Sequence, residues 1–316
     1  MAEALRSPAI TVIEPELSTA AAFRVILDSK LIQIRASIGP TLGGDPEGLH
    51  RLRIALRGAR AVLQLFSPIM PVAGMASLDR DLRRVCRICG VGRDWDVFCL
   101  ETLPAAQLAR PSAASPALLE AAQVRRAASH RAVTGTLQEA RFTLLLDRLA
   151  ILSRAKHRSS PQYRDASLFR SIAISAPVLL DRMARRTARR GRHVRRLSAR
   201  MLHTYRKSLD RLFDDTGSFT RTFATGDVET YRTHCMALQE ILGLANDAAV
   251  TKQLVAELKL DGRADCAPSV EALDRWNRHR RRSALMDLKR LHGVFRRTQR
   301  FWASAPQKRG RDRPSR

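Results

Sequence analysis

The chain has 316 residues, 56 of them Lys or Arg and 30 Asp or Glu, for a formal net charge of +26 at pH 7. Such an excess points to a polyanionic partner: nucleic acid, polyphosphate or an anionic membrane face. No run of 18 apolar residues occurs, so a transmembrane helix and membrane insertion are not expected. Five scattered cysteines (Cys86, Cys89, Cys99, Cys235 and Cys266) argue against a secreted disulfide framework, and the first 15 residues have no apolar signal region. The expected location is cytoplasmic.

In chain order, residues 1–15 read as a loose leader. Helical periodicity runs over 17–38 and breaks at Gly39-Pro40. Asp45-Pro46 opens a helix over 46–66, and Pro68 and Pro71 end it. A third helix covers 75–89, stopped by Gly90 and Gly92, and Arg93 or Asp94 opens another, with Asp94 as its cap. Residues 104–116 read as a loop, followed by helices over 117–134 and 138–155. The polar stretch 157–166 reads as a domain boundary. Helices then follow at 168–190, 193–214, 227–242, 246–259 and 269–302, and 303–316 form a disordered basic tail. No segment alternates with period two, so the fold class is all-α, with an N-terminal bundle over 16–157 and a C-terminal one over 158–302.

The two halves resemble each other. Arg53, Arg60 and Leu65-Phe66 match Arg200, Lys207 and Leu212-Phe213 at an offset of 147. Gly90 to Asp94 match Gly243 to Asp247 at 153, with Val97 opposite Val250. That register needs six inserted residues between the two matches.

The helix over 46–66 carries the strongest functional signal. His50, Arg53, Arg57 and Arg60 share one stripe, beside an apolar arc of Leu52, Leu56, Ala59, Leu63 and Phe66. A continuous cationic edge repels itself unless an anion lies along it. In the second half, Arg196, Arg200, His203, Lys207 and Arg211 form a comparable stripe beside Met201, Tyr205, Leu209 and Leu212. Arg83 and Arg87 share a face of the third helix. A solvated basic face explains one such helix more easily than two related ones. The alternative is an anion track shared by both halves.

The stripe His50-x-x-Arg53-x-x-x-Arg57-x-x-Arg60, followed by Leu82 to Val97 with its Gly90-Val91-Gly92-Arg93-Asp94 stretch, resembles the first repeat of the CHAD family, the conserved histidine α-helical domain. Leu242 to Asp247 resembles its second repeat and Phe301-Trp302 its C-terminal end. The resemblance implies two four-helix bundles facing each other across a basic groove or pore, and binding of inorganic polyphosphate. Carried over by position, it implies His50, Arg53, Arg57, Arg60, Arg83, Arg87 and Arg200 as binding residues. Arg196, His203 and Lys207 join them from the second stripe. Leu197 stands opposite His50 in the 147 register, and Met236 and Glu240 stand opposite Arg83 and Arg87. Some relatives carry a catalytic module marked by Glu-x-Glu-x-Lys; Glu14-Pro15-Glu16-Leu17-Ser18 lacks the Lys, so that module is not expected.

The expected function is therefore non-catalytic polyphosphate binding, with association to polyphosphate granules and no cofactor. Two alternatives stay open. One is an RNA- or DNA-binding module on the same charge, which stacking aromatics among the basic residues would favour. The other is a metal-dependent phosphoanhydride hydrolase, for which Asp94, Asp96 and Asp247 are the candidate carboxylates. Asp94 and Asp96 read more simply as helix-capping and ion-pairing groups. Cys86-x-x-Cys89 has no second ligand pair, so a metal site is not expected.

Overall fold

The computed structural model describes residues 11–70, 74–155, 168–223, 225–260 and 265–303. Their α-helices are α1 (Thr19–Leu42), α2 (Pro46–Phe66), α3 (Met75–Val97), α4 (Leu103–Ala109), α5 (Pro116–Gln138), α6 (Ala140–Arg154), α7 (Ile172–Arg190), α8 (Ala199–Ser218), α9 (Thr225–Glu257) and α10 (Ala267–Arg297). The fold is all-α, with no strand among the described residues. The boundary expected at 157–166 and the tail expected at 303–316 lie outside the described residues, Ala303 apart. Part of the expected leader is anchored: Ile13 is fully buried and its N–H donates to the Ser218 carbonyl at 3.1 Å.

Short polar side chains start the main helices. Ser18, Asp45, Ser115, Ser171 and Ser198 each accept a hydrogen bond from a backbone N–H in the first turn of α1, α2, α5, α7 and α8. Pro46 follows Asp45 at the first helical position, where its missing N–H costs nothing.

Several glycine and proline signals behave differently in the fold. Pro40 lies inside α1, which ends only at Gly43, whose N–H bonds to the Gly39 carbonyl at 3.0 Å. Gly90 and Gly92 lie inside α3, which runs unbroken to Val97. A Cβ on Gly92 would stand 2.9 Å from Leu49 Cδ2 and 3.1 Å from Val133 Cγ2. Glycine there serves close packing against α2 and α5. Asp94 therefore sits mid-helix and caps nothing. Its counterpart Asp247 is likewise inside α9, a single helix across Gly243 where two were expected. The expected loop at 104–116 contains α4, entered through one π-helical stretch, Phe98–Thr102. α8 starts at Ala199, later than expected, because His193 adopts a left-handed φ of 57° and Val194–Arg196 form a 3-10 turn. α10 ends at Arg297, and Phe301 and Trp302 fold back beyond it onto Tyr231.

One register relates the two halves throughout. α1, α2 and α3 recur as α7, α8 and α9, displaced by 153 residues. The caps Ser18 and Asp45 recur as Ser171 and Ser198. This replaces the 147 register for α8 and needs no insertion. The halves also meet reciprocally. Thr19 N–H donates to the Arg170 carbonyl at 2.9 Å, and Ile172 N–H donates to the Leu17 carbonyl at 2.7 Å. Equivalent residues exchanging equivalent bonds mark a pseudo-two-fold axis, which passes between Ser18 and Ser171.

Helices α1, α2, α3 and α5, with α6 alongside, form the first bundle; α7 to α10 form the second. A single apolar core runs through both, from Phe23, Leu56 and Phe66 to Leu180, Tyr205 and Leu238. A smaller cluster joins Trp95, Phe98 and Leu118 to Leu254 and Leu273. α2 and α8 meet face to face at the axis.

Candidate functional site

α2 buries Leu49, Leu52, Leu56, Ala59, Leu63 and Phe66, which leaves Arg53, Arg57 and Arg60 half-buried along its edge. α8 buries Leu202, Tyr205, Leu209 and Leu212, and turns Arg206, Lys207, Asp210 and Arg211 toward that edge. The two amphipathic patterns therefore bring two basic edges together, parallel and in register.

Arg57 Nη1 lies 3.5 Å from Asp210 Oδ2. Arg206 Nη1 lies 3.1 Å from the same oxygen, and Gln239 Nε2 donates to Asp210 Oδ1 at 3.1 Å. Asp210 thus holds one arginine from each half. Arg60 makes a forked contact with Asp79, at 3.1 and 3.3 Å, and Gln64 donates to the same carboxylate at 2.7 Å. Arg53 forms no ion pair with a carboxylate among the described residues; it lies over Gly90, where a Cβ would stand 4.0 Å from its Nε. Arg206 Nε is buried without a partner.

The electrostatics are those of crowded cations. Burial lowers the Arg53 guanidinium, and Arg57 adds to this, with Asp94 opposing. Lys207 is lowered by desolvation, then by Arg206, Arg53 and Arg211. Burial pushes His50 down to about 4, helped by Arg93, Arg53 and Arg57. Its Nδ1 is buried with no hydrogen-bond partner. His203, the residue equivalent to His50, is also lowered by burial and hydrogen-bonds through Nδ1 to Asn246. Asn246 is in turn the equivalent of Arg93. At neutral pH both histidines are uncharged and can offer a phosphate an N–H but no charge.

Of the residues expected from sequence, His50, Arg53, Arg57, Arg60, His203 and Lys207 come together here. Arg83 and Arg87 are exposed on the stripe of α3 that also carries Asp79 and Gly90, with no ion pair among the described residues. Arg200 is exposed in the first turn of α8. Arg196 is not on the α8 stripe, because it belongs to the 3-10 turn before the helix, where it is exposed. Leu197 is not the counterpart of His50; His203 is. Arg206 and Asp210 are groove residues that the sequence reading missed. The 153 register already found at Gly90 to Asp94 points to them, as the partners of Arg53 and Arg57.

Asp94 and Asp247, equivalent in the two halves, face each other electrostatically near Arg53, and burial raises Asp94. Asp96 is elsewhere: it is fully buried, with Arg126 Nε and His130 Nε2 each 2.7 Å from its Oδ1. It pins α5 to α3 and is no groove carboxylate. Cys89 is a buried thiol pushed up to about 12 by burial. Among the described residues, no three His, Cys, Asp or Glu side chains gather in a way that could hold a metal ion, and no helix is long and apolar enough to cross a membrane.

The fold and the paired basic edges define a two-repeat helical protein in which cations from both halves meet on the pseudo-two-fold axis. The CHAD domain model matches residues 25–256, and the chain belongs to that family. A crystal structure of the CHAD domain from the plant Ricinus communis superposes with a TM-score of 0.76 at 23% identity, covering 94% of this chain and 98% of that one. PptA from Streptomyces chartreusis superposes at 0.66 with 13% identity, covering 88% of this chain and all of its own. At these identities both establish a shared fold. No curated protein matches the chain in sequence.

Proposed function

We propose that this chain binds inorganic polyphosphate, without catalysis, in the groove between α2 and α8. The observation that carries this reading is the meeting of Arg53, Arg57 and Arg60 with Arg206, Lys207 and Arg211 along the facing edges of α2 and α8. Side chains held along two parallel helices can meet successive phosphates of a linear chain and release its counterions. Membership of the CHAD family agrees with it. Uncharged His50 and His203 suit a ligand that takes neutral donors between guanidinium groups. In a cell the protein would collect on polyphosphate-rich granules in the cytoplasm.

Nucleic acid is the competing ligand. The groove residues named above include no aromatic side chain, the platform on which the bases of single strands stack. The hydrolase reading has less support, since Asp96 is committed to Arg126 and His130. The test is binding of long-chain polyphosphate against DNA and RNA of matched length at matched salt, with phosphate release followed in Mg²⁺ or Mn²⁺. Tighter polyphosphate binding and no release are expected. Equal or weaker polyphosphate binding overturns the reading, and released phosphate overturns its non-catalytic part.

A further inference from the structure

The 153 register makes the two ends of the groove comparable residue by residue, and one end is much more basic. Beyond Arg60 and Arg211, α1 contributes to the first half and α7 to the second. α1 offers Gln33 and Ser37, and α2 offers Gly58; their equivalents are Arg186, Arg190 and Arg211. On the first side Lys30 lies along Gly58, with carbons 3.0 Å from where a Cβ would stand, and its ammonium donates to Gln33 Oε1 at 3.3 Å. Asp214 faces it. That end is close to neutral.

The second side is built differently. Thr187 Oγ1 hydrogen-bonds to the Ser208 carbonyl at 3.2 Å and lies 2.8 Å from the Ser208 hydroxyl. Gly191 is packed so tightly on Tyr205 that a Cβ would approach the ring to 2.7 Å. These two contacts fix α7 antiparallel to α8 and bring Arg186 and Arg190, one turn apart, beside Arg211. Among the described residues none of the three makes an ion pair with a carboxylate, although Asp215 lies near Arg211. Arg60 faces the same group, and burial followed by Arg60, Arg186 and Arg190 lowers the Arg211 guanidinium. Arg186 is exposed and Arg190 half-buried, so both are open to a ligand.

We propose that Arg186 and Arg190, next to Arg211 of the groove, form a second anion subsite that carries a bound phosphate chain out of the groove over α7 and not over α1. This rests on the groove reading above and adds direction to it: a long polyanion leaves on one side of the pseudo-two-fold axis. A short one, such as tripolyphosphate, is held by the central groove alone.

The experiment compares R186Q/R190Q with R282Q/K289Q, which removes the same charge from exposed positions on α10. Affinities for long-chain polyphosphate and for tripolyphosphate are measured across a salt series. R186Q/R190Q is expected to weaken long-chain binding by roughly tenfold and to flatten the log–log salt slope by roughly 2, leaving tripolyphosphate binding unchanged. The α10 variant is expected to stay near the parent. Equal losses in the two variants, or an equal loss for tripolyphosphate, would overturn the subsite. Failure of the groove reading looks different: the parent protein itself shows no preference for polyphosphate. Circular dichroism checks that both variants keep the parent helicity.

Discussion

Arg57 and Asp210 occupy the same place in the two repeats, and they bind each other across the pseudo-two-fold axis at 3.5 Å. An arginine in one half is thus answered by a carboxylate in the other, and Asp210 also takes Arg206. If the groove binds anions as proposed, this carboxylate occupies the space and the donors that a phosphate oxygen would use.

Asp210→Asn removes the charge and keeps a polar side chain of the same shape. Polyphosphate affinity should rise about three- to tenfold, because like-charge repulsion at the centre of the groove disappears. Stability should fall by about 1 kcal/mol, since both arginines lose an ionic partner that is only partly screened. Calorimetric titration at two salt concentrations measures the first effect and thermal unfolding the second. An affinity that falls would show that Asp210 orients the arginines more than it opposes the ligand.

Through His50 the proposed binding should depend on pH. Its folded pKa of about 4 lies below the unfolded value near 6.5. The unfolded chain therefore binds the extra proton first, and this residue's contribution to stability falls as pH drops from 6.5 toward 4. A phosphate chain beside it favours the imidazolium, so polyphosphate affinity should rise over the same interval. His50→Gln should flatten the rise. An NMR titration of the ring that gives a midpoint near 6.5 in the free protein would contradict the burial argument.

Asp96 tests the separation between scaffold and groove. Its carboxylate is fully buried and satisfies Arg126 and His130, both mostly covered. Asp96→Ala should cost about 2–3 kcal/mol, less than a wholly buried pair would, because both partners retain some solvent. Polyphosphate affinity measured below the unfolding transition should not change. Loss of binding in a folded variant would return Asp96 to the site.

Much of α2 is legible in the sequence, because an apolar arc and a basic edge repeat with helical period over the whole of 46–66. The register of the second half is harder to read. Leucine- and arginine-rich helices match each other at several offsets, and the 147 match of Arg53 with Arg200 looks as good as the true pairing with Arg206. The Gly90 to Asp94 match hints at the 153 register, and the tertiary contacts decide for it, through Ser18 with Ser171 and Arg57 with Asp210. Gly90 and Gly92 mislead for a related reason. A glycine that ends a helix and one that admits a neighbouring helix are the same letter, and the difference lies in Leu49 and Val133, distant in sequence. Arg196 reads as a continuation of the α8 stripe, until the left-handed His193 and the turn behind it place it outside the helix.

Asp215 bears a stability cost. Burial, with Asp214 beside it, raises its carboxyl well above the ordinary value, and Oδ2 is buried without a partner. A raised carboxyl pKa means the unfolded chain loses its proton first, so stability falls as pH rises above about 4. Asp215→Asn should be more stable than the parent by about 1 kcal/mol at pH 7. The gap should narrow toward pH 4. Thermal denaturation at both pH values reads it; a less stable variant at pH 7 would show that the negative charge is needed by Arg211.

The proposed binding needs cations from both repeats acting on one ligand, and Arg53 and Lys207 report on it most directly, since neither makes an ion pair with a carboxylate among the described residues. A double-mutant cycle of Arg53→Gln and Lys207→Gln, read as long-chain polyphosphate affinity with helicity checked, is the decisive measurement. Each single change should weaken binding by roughly tenfold, and the two together should depart from additivity, as neighbours on one ligand do. Parent-like affinity in either folded single variant would contradict a shared groove.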